Sequence, residues 1–214
     1  MARAKRILAA ALCLAAVPAT AQAEGATATG AGSVGAVHIT VDGQQATAEP
    51  IAPCAVGGTA ANQADPVFVG ATTRFGLGST KCTRNADGTA SVQVEGTRFE
   101  TNALRIYGGP RITVRTFKAG CATTANGSTG SMELGSVSGF EVPENIPPNY
   151  RITVPGRAQG DPPMAEVVLN ELVVPHPPDG SLVTHALHIK LFPQGGPASG
   201  DIYVGTAACD PYGA

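Results

Sequence analysis

The sequence predicts an all-β protein: an antiparallel, Greek-key-like β-sandwich that follows an export signal and is braced by two disulfides. Three observations carry this. Short segments alternate apolar and polar residues. Turn dipeptides recur between them. With 27 glycines and 17 prolines, no stretch keeps a sustained helical apolar period. Period-two alternation bounded by turn residues marks half-buried strands. Glycine and proline disfavour helix interiors. Many short strands with frequent turns close into a sandwich or a barrel.

The first element is not part of the fold. Arg3, Lys5 and Arg6 precede an 11-residue apolar run from Ile7 to Val17, followed by Pro18 and the small-x-small sequence Ala21-Gln22-Ala23. These are the parts of a secretory signal, with cleavage expected between Ala23 and Glu24. The run is well short of the roughly 20 residues that span a bilayer. Leu12 stands before Cys13, where lipid attachment would want a small residue. Cleavage leaves 191 residues, enough for one domain with a real core. It also leaves 11 basic residues against 16 acidic ones, a net charge of −5 with histidine neutral. That balance has no footprint for nucleic acid. No apolar segment or basic cluster after the signal indicates a membrane role, and a monomer is expected.

Residues 24–35 are Gly, Ala, Thr and Ser with little to bury, and read as a flexible tail before a single domain over 36–214. Strands are expected around Val37-Ile39-Val41, Val92-Val94, Leu104-Ile106, Ile112-Val114 and Ile202-Val204. Asp42-Gly43, Asp87-Gly88, Asn126-Gly127 and Asp179-Gly180 accept positive φ and reverse the chain. Cys82 to Thr89 and Cys121 to Ser128 share the pattern C-x4-[DN]-G-[ST], read as two similar hairpins. The Pro-rich stretch 141–164 reads as a semi-rigid surface connection in which Ile152 and Val154 add an edge strand.

Cys54, Cys82, Cys121 and Cys209 remain after the signal is removed, and an even number in an exported chain reads as two disulfides. None is spaced C-x-x-C, so neither a redox site nor a zinc knuckle is expected. Four cysteines allow three pairings, and the residues alone leave them open.

The motifs that suggest chemistry lack their context. Gly30 to Gly35 spells G-x-G-x-x-G, but a dinucleotide site needs a strand before it and a helix after it. No cofactor is expected. In Gly135-Ser136-Val137-Ser138-Gly139 the nucleophile position of an elbow is Val137. Asn126-Gly127-Ser128 is formally a glycosylation acceptor, better explained as a hairpin turn. His185 and His188 lie in an alternating segment; on a regular strand, residues three apart face opposite ways. That reading sets Val183, His185, Leu187, Ile189 and Leu191 on one face and His188 and Lys190 on the other, and it predicts no metal site. His176 stands between prolines and His38 alternates outward. Asn170-Glu171 interrupts the apolar run Val167 to Val174: either a carboxylate for binding or acid–base work, or a bulge whose side chains cap a neighbouring loop. The bulge is favoured, because no second carboxylate or nucleophile stands beside it in sequence.

Val167 to Glu171, Asp179-Gly180-Ser181, His185 to Ile189, Gly200 to Gly205 and Cys209, preceded by Ala119-Gly120-Cys121 and Asn126-Gly127-Ser128, follow one another as in the choice-of-anchor P family, which this chain resembles over roughly 115–209. The resemblance implies an exported actinobacterial protein and carries no catalytic residues across. The chain stops at Asp210 to Ala214 without a sorting motif, so free secretion is expected rather than wall attachment. Cys121 and Cys209 both fall inside the resembling stretch, and Cys82 and Cys121 hold equivalent hairpin positions. Together these favour Cys54–Cys82 with Cys121–Cys209.

The expected function is a secreted, non-catalytic β domain with a structural or binding role at the cell envelope, its partner a protein or envelope component. A glycan- or protein-binding module is the alternative, although only four tyrosines and no tryptophan are available for stacking on sugars. A hydrolase using Glu171 with His185 or His188 comes third, and an exposed cleft joining them would favour it.

Overall fold

Alternation and turn chemistry decide where the chain runs and where it reverses. The computed structural model describes residues 27–213; the expected signal and the Ala23–Glu24 cleavage site lie outside them. The first strands are β1 (Thr29–Val41), β2 (Gln44–Ile51), β3 (Cys54–Ala55), β4 (Ala61–Ala64), β5 (Val67–Val69), β6 (Thr73–Phe75) and β7 (Gly78–Arg84). They are followed by β8 (Ala90–Thr101), β9 (Ile112–Thr124), β10 (Gly127–Ser138), β11 (Tyr150–Val154), β12 (Ala165–Val173), β13 (Leu182–Leu191) and β14 (Ala198–Asp210). All pairings are antiparallel. One sheet runs β11-β12-β13-β14-β1-β2, with β3 beside the start of β1. The other runs β10-β9-β8, and β8 pairs with β7 along its first half and β6 along its second.

The two sheets face each other over an apolar core in which Phe75, Phe99, Phe117, Leu169, Leu187, Ile189 and Ile202 are fully buried. The topology is Greek-key-like in one respect: a long return through the Pro-rich stretch brings the chain back to the first sheet and sets β14 beside β1. Asp42-Gly43 and Asn126-Gly127 make the β1–β2 and β9–β10 hairpins, and Asp87-Gly88 the β7–β8 hairpin. Both C-x4-[DN]-G-[ST] segments are therefore hairpins. The strand that carries Ile152 and Val154, β11, sits at the edge of its sheet and stops before Pro155. Cys54–Cys82 joins β3 to β7 and Cys121–Cys209 joins β9 to β14, so each disulfide ties one sheet to the other. Among the described residues, no helix is long and apolar enough to cross a membrane.

Two expectations are corrected. The stretch 24–35 is not a tail from Thr29 onward: it is the first half of β1, between β14 and β3. Its small residues are packing positions. A Cβ on Gly30 or Gly32 would lie 2.8 or 2.7 Å from the side chain of Val92 on the facing sheet. The domain thus begins before residue 36, and the G-x-G-x-x-G run lies within a strand. Leu104-Ile106 is not a strand either. Arg105–Tyr107 forms a 3₁₀ turn closed by Gly108, with Leu104 buried and Ile106 exposed.

The feature that shapes both surfaces is a fault in the pleat of each sheet. In the first sheet Glu171–His185–Thr206–Ser33 and Leu169–Leu187–Val204–Gly35 are bridged rows, while the row between them (Asn170, Ala186, Gly205, Val34) is skipped. The skipped residue and a neighbour both turn inward, as in Ala186-Leu187 and Val204-Gly205. Asn170 and Gly205 take left-handed backbone there, φ 50° and 62°. The second sheet skips the row Arg98, Arg115, Ser136. There two successive residues turn outward instead, Thr97-Arg98 and Arg115-Thr116.

Candidate functional site

The first fault creates the most concentrated group of titratable side chains. With Ala186 and Leu187 both facing the core, His185 and His188 come out on the same face, their ring centroids 6.1 Å apart. The expectation that they face opposite ways is corrected. It assumed unbroken alternation, and one extra inward residue between the histidines reverses it. Glu171 reaches the same face because Asn170 takes the inward place. Asn170 is the bulge residue, its Nδ2 donating to the Ile146 carbonyl at 2.9 Å. The loop-capping reading therefore holds for Asn170. Glu171 instead joins the histidines.

Glu171, His188 and Asp201 form a chain. His188 Nδ1 is 3.1 Å from Glu171 Oε1, and its Nε2 is 2.8 Å from Asp201 Oδ1. Burial works against a charged His188, but the bonds to Asp201 and Glu171 outweigh it and raise its pKa to about 9. It is an imidazolium at neutral pH, donating from both nitrogens. Burial opposes ionisation of Glu171 too, yet His188 holds its carboxyl below the ordinary value, with help from His185 and Arg151.

His185 is the opposite case. Burial depresses its pKa to about 4, only partly offset by Glu171, and the charge of His188 adds to the depression. Its Nδ1 bonds the Thr206 hydroxyl at 2.9 Å, and its Nε2 stands 3.9 Å from Glu171 Oε2, beyond hydrogen-bond reach. Tyr203, on β14, stacks on His188 with centroids 4.4 Å apart and lies 4.7 Å from the His185 ring. Its hydroxyl is raised in pKa by burial and by the charges of Asp201 and Glu171.

Sequence reasoning singled out Asn170, Glu171, His185 and His188. It missed Asp201, Tyr203 and Thr206, whose positions on β14 follow only from its register with β13. His38 and His176 are exposed and outside the group. Among the described residues no group of three or more His, Cys, Asp or Glu side chains is arranged to hold a metal ion. The hollows of about 490, 470 and 380 Å³ on the surface are lined by other residues. Comparison with known protein families, with curated proteins and with solved structures finds no match to this chain.

Proposed function

We propose that the chain is a secreted, non-catalytic β domain with a structural or binding role at the cell envelope. The observation that carries this reading is the closed state of the His188 network. Both ring nitrogens are spent on carboxylates, and a group with a pKa near 9 is no general base at neutrality. Two inter-sheet disulfides fit an oxidising, extracellular setting. Tyr203 is stacked on its histidines rather than presented as a free platform, which favours a protein partner over a glycan.

A hydrolase reading has one observation behind it: Thr206, His185 and Glu171 lie in the order of a nucleophile, a base and an orienting acid. Two facts weigh against it. The His185–Glu171 contact is too long to orient the ring, and a pKa of about 4 makes His185 a weak base. The test has two arms. The secreted protein should pellet with envelope fragments, and protease treatment of the fragments should abolish this. It should hydrolyse p-nitrophenyl esters no faster than its Thr206→Val variant. Turnover that disappears in both Thr206→Val and His185→Ala would replace the binding reading with the catalytic one.

A further inference from the structure

The second pleat fault has the opposite chemistry. On β8 and β9 it turns Thr97-Arg98 and Arg115-Thr116 outward, so Arg98 and Arg115 occupy the same row of adjacent strands. Like charges directly opposite on neighbouring strands are destabilising. Arg74, on β6, joins them: all three line one shallow groove of about 470 Å³ with Thr97, Thr116 and Leu77. The mature chain carries a net negative charge, yet none of these three arginines has an ion-pair partner among the described residues. Two carboxylates on this face are engaged elsewhere, while Asp65 and Glu95 line the adjoining hollow and pair with none of the three arginines. Glu100, opposite Arg74, pairs with Arg111, and Glu133 pairs with Lys118 at 3.7 Å. Arg74 is also fixed at the groove wall by packing. The Arg74 guanidinium sits 4.8 Å over the Phe68 ring, and its Nε is buried with no hydrogen-bond partner. A buried donor left unmatched is destabilising unless something accepts from it.

We propose that this groove is a binding site for a phosphate-class oxyanion: a phosphate monoester or diester whose oxygens accept from Arg74, Arg98 and Arg115. Three guanidiniums supply planar donor forks suited to a multiply charged tetrahedral anion. Thr116 adds a hydroxyl at the same wall, where the Thr97 hydroxyl donates to the Leu77 carbonyl at 3.3 Å. Phe68 and Leu77, 69% and 60% exposed beside the groove, give the organic part of the ester an apolar surface. The site lies on the outer face of the sheet opposite the histidine network, and it stands whether or not the domain is retained at the envelope.

The experiment uses the secreted protein and its Arg98→Gln, Arg115→Gln and double variants, with Lys118→Gln as control. Melting is followed in inorganic phosphate against chloride at matched ionic strength. Pelleting is followed with phosphatidylglycerol vesicles against vesicles of a neutral, phosphate-free glycolipid. Phosphate should raise the melting temperature of the parent and of Lys118→Gln. Affinity should fall about tenfold for each guanidinium removed, the effect of losing one charge-assisted hydrogen bond. Without ligand, the single variants should melt no lower than the parent, because removing one arginine relieves the like-charge opposition. Binding to vesicles alone would identify a lipid headgroup as the source of the phosphoryl group, and binding of inorganic phosphate a soluble one. The proposal is overturned if neither probe binds beyond its control, or if the double variant responds as the parent does.

Discussion

His185 and His188 are separated by two residues, yet their pKa values are pushed in opposite directions. Both are substantially buried, so desolvation acts on each. What separates them is that His188 bonds two carboxylates and His185 bonds a neutral hydroxyl. A histidine titration followed by NMR should find His188 still protonated well above neutrality and His185 neutral down to about pH 4. Glu171→Gln should lower the His188 midpoint by more than a unit, since one of its two anionic partners is lost. A midpoint near 6.5 in the parent protein would overturn the network. The signs also fix the stability profile. His188 has a raised native pKa, so its contribution is full below about 6.5 and is lost as pH rises toward 9. His185 has a depressed one, so its contribution is full above about 6.5 and is lost as pH falls toward 4. Glu171, held below its ordinary value, adds to the loss on the acid side. Melting temperature should therefore peak in slightly acid to neutral buffer, and His188→Ala should flatten the alkaline limb. A parent profile that is level between about pH 6.5 and 9 would refute this.

The element that makes these contacts possible is the skipped row Asn170, Ala186, Gly205, Val34, and Gly205 is its tightest point. Its φ is 62°, and a Cβ there would lie 3.0 Å from Phe117 Cδ2 on the facing sheet. Gly205→Ala should destabilise through both backbone strain and crowding, by roughly 1–3 kcal/mol. Gly88→Ala is the control: its φ is 84°, and a Cβ there meets nothing within 4 Å. Urea denaturation should rank Gly205→Ala as the more damaging; equal effects would mean that the contact with Phe117 carries nothing. The same row explains what was legible in the sequence. Val92-Val94, Ile112-Val114 and Ile202-Val204 were readable as strands because alternation is unbroken within them, and the Asp-Gly and Asn-Gly turns because their chemistry is local. The shared histidine face was not. It depends on four strands faulting in one row, and each strand supplies only one unremarkable residue to it. Its traces are Asn170, read as a bulge in its own strand, and the doublet Ala186-Leu187, which reads as ordinary apolar content. The start of β1 was missed for a related reason. Glycines that let Val92 approach closely have the same composition as a loose linker.

At the scale of the whole molecule, the sandwich is held by its core and by two cross-links that both run from sheet to sheet. Cys54–Cys82 closes a sequence separation of 28 and Cys121–Cys209 one of 88. The pairing agrees with the one favoured by the hairpin pattern and the family resemblance. On the chain-entropy model the two are worth about 3.5 and about 4.5 kcal/mol. Either is a large share of the roughly 5–15 kcal/mol of a typical domain. Their placement differs in a way that sharpens the ranking. Cys54 lies on the two-residue strand β3, whose segment has hydrogen bonds of its own to Gly30 and Thr59. Cys209 lies near the end of β14, the strand that joins the β11–β13 meander to β1. Without the second bond, the end of the chain is free to leave the first sheet together with the start of β1. All four cysteines are buried, each no more than 5% exposed, so reductant reaches them only through unfolding. Dithiothreitol alone should leave native protein oxidised, and dithiothreitol with urea should reduce both bonds. The Cys121→Ala/Cys209→Ala double variant should lose more stability than Cys54→Ala/Cys82→Ala. At about 2–4 °C per kcal/mol for a domain of this size, that is a fall of roughly 9–18 °C against 7–14 °C. Calorimetry on the two double variants decides it: the reverse order would place the critical tie between the sheets at β3 and β7 instead of at the closing strand.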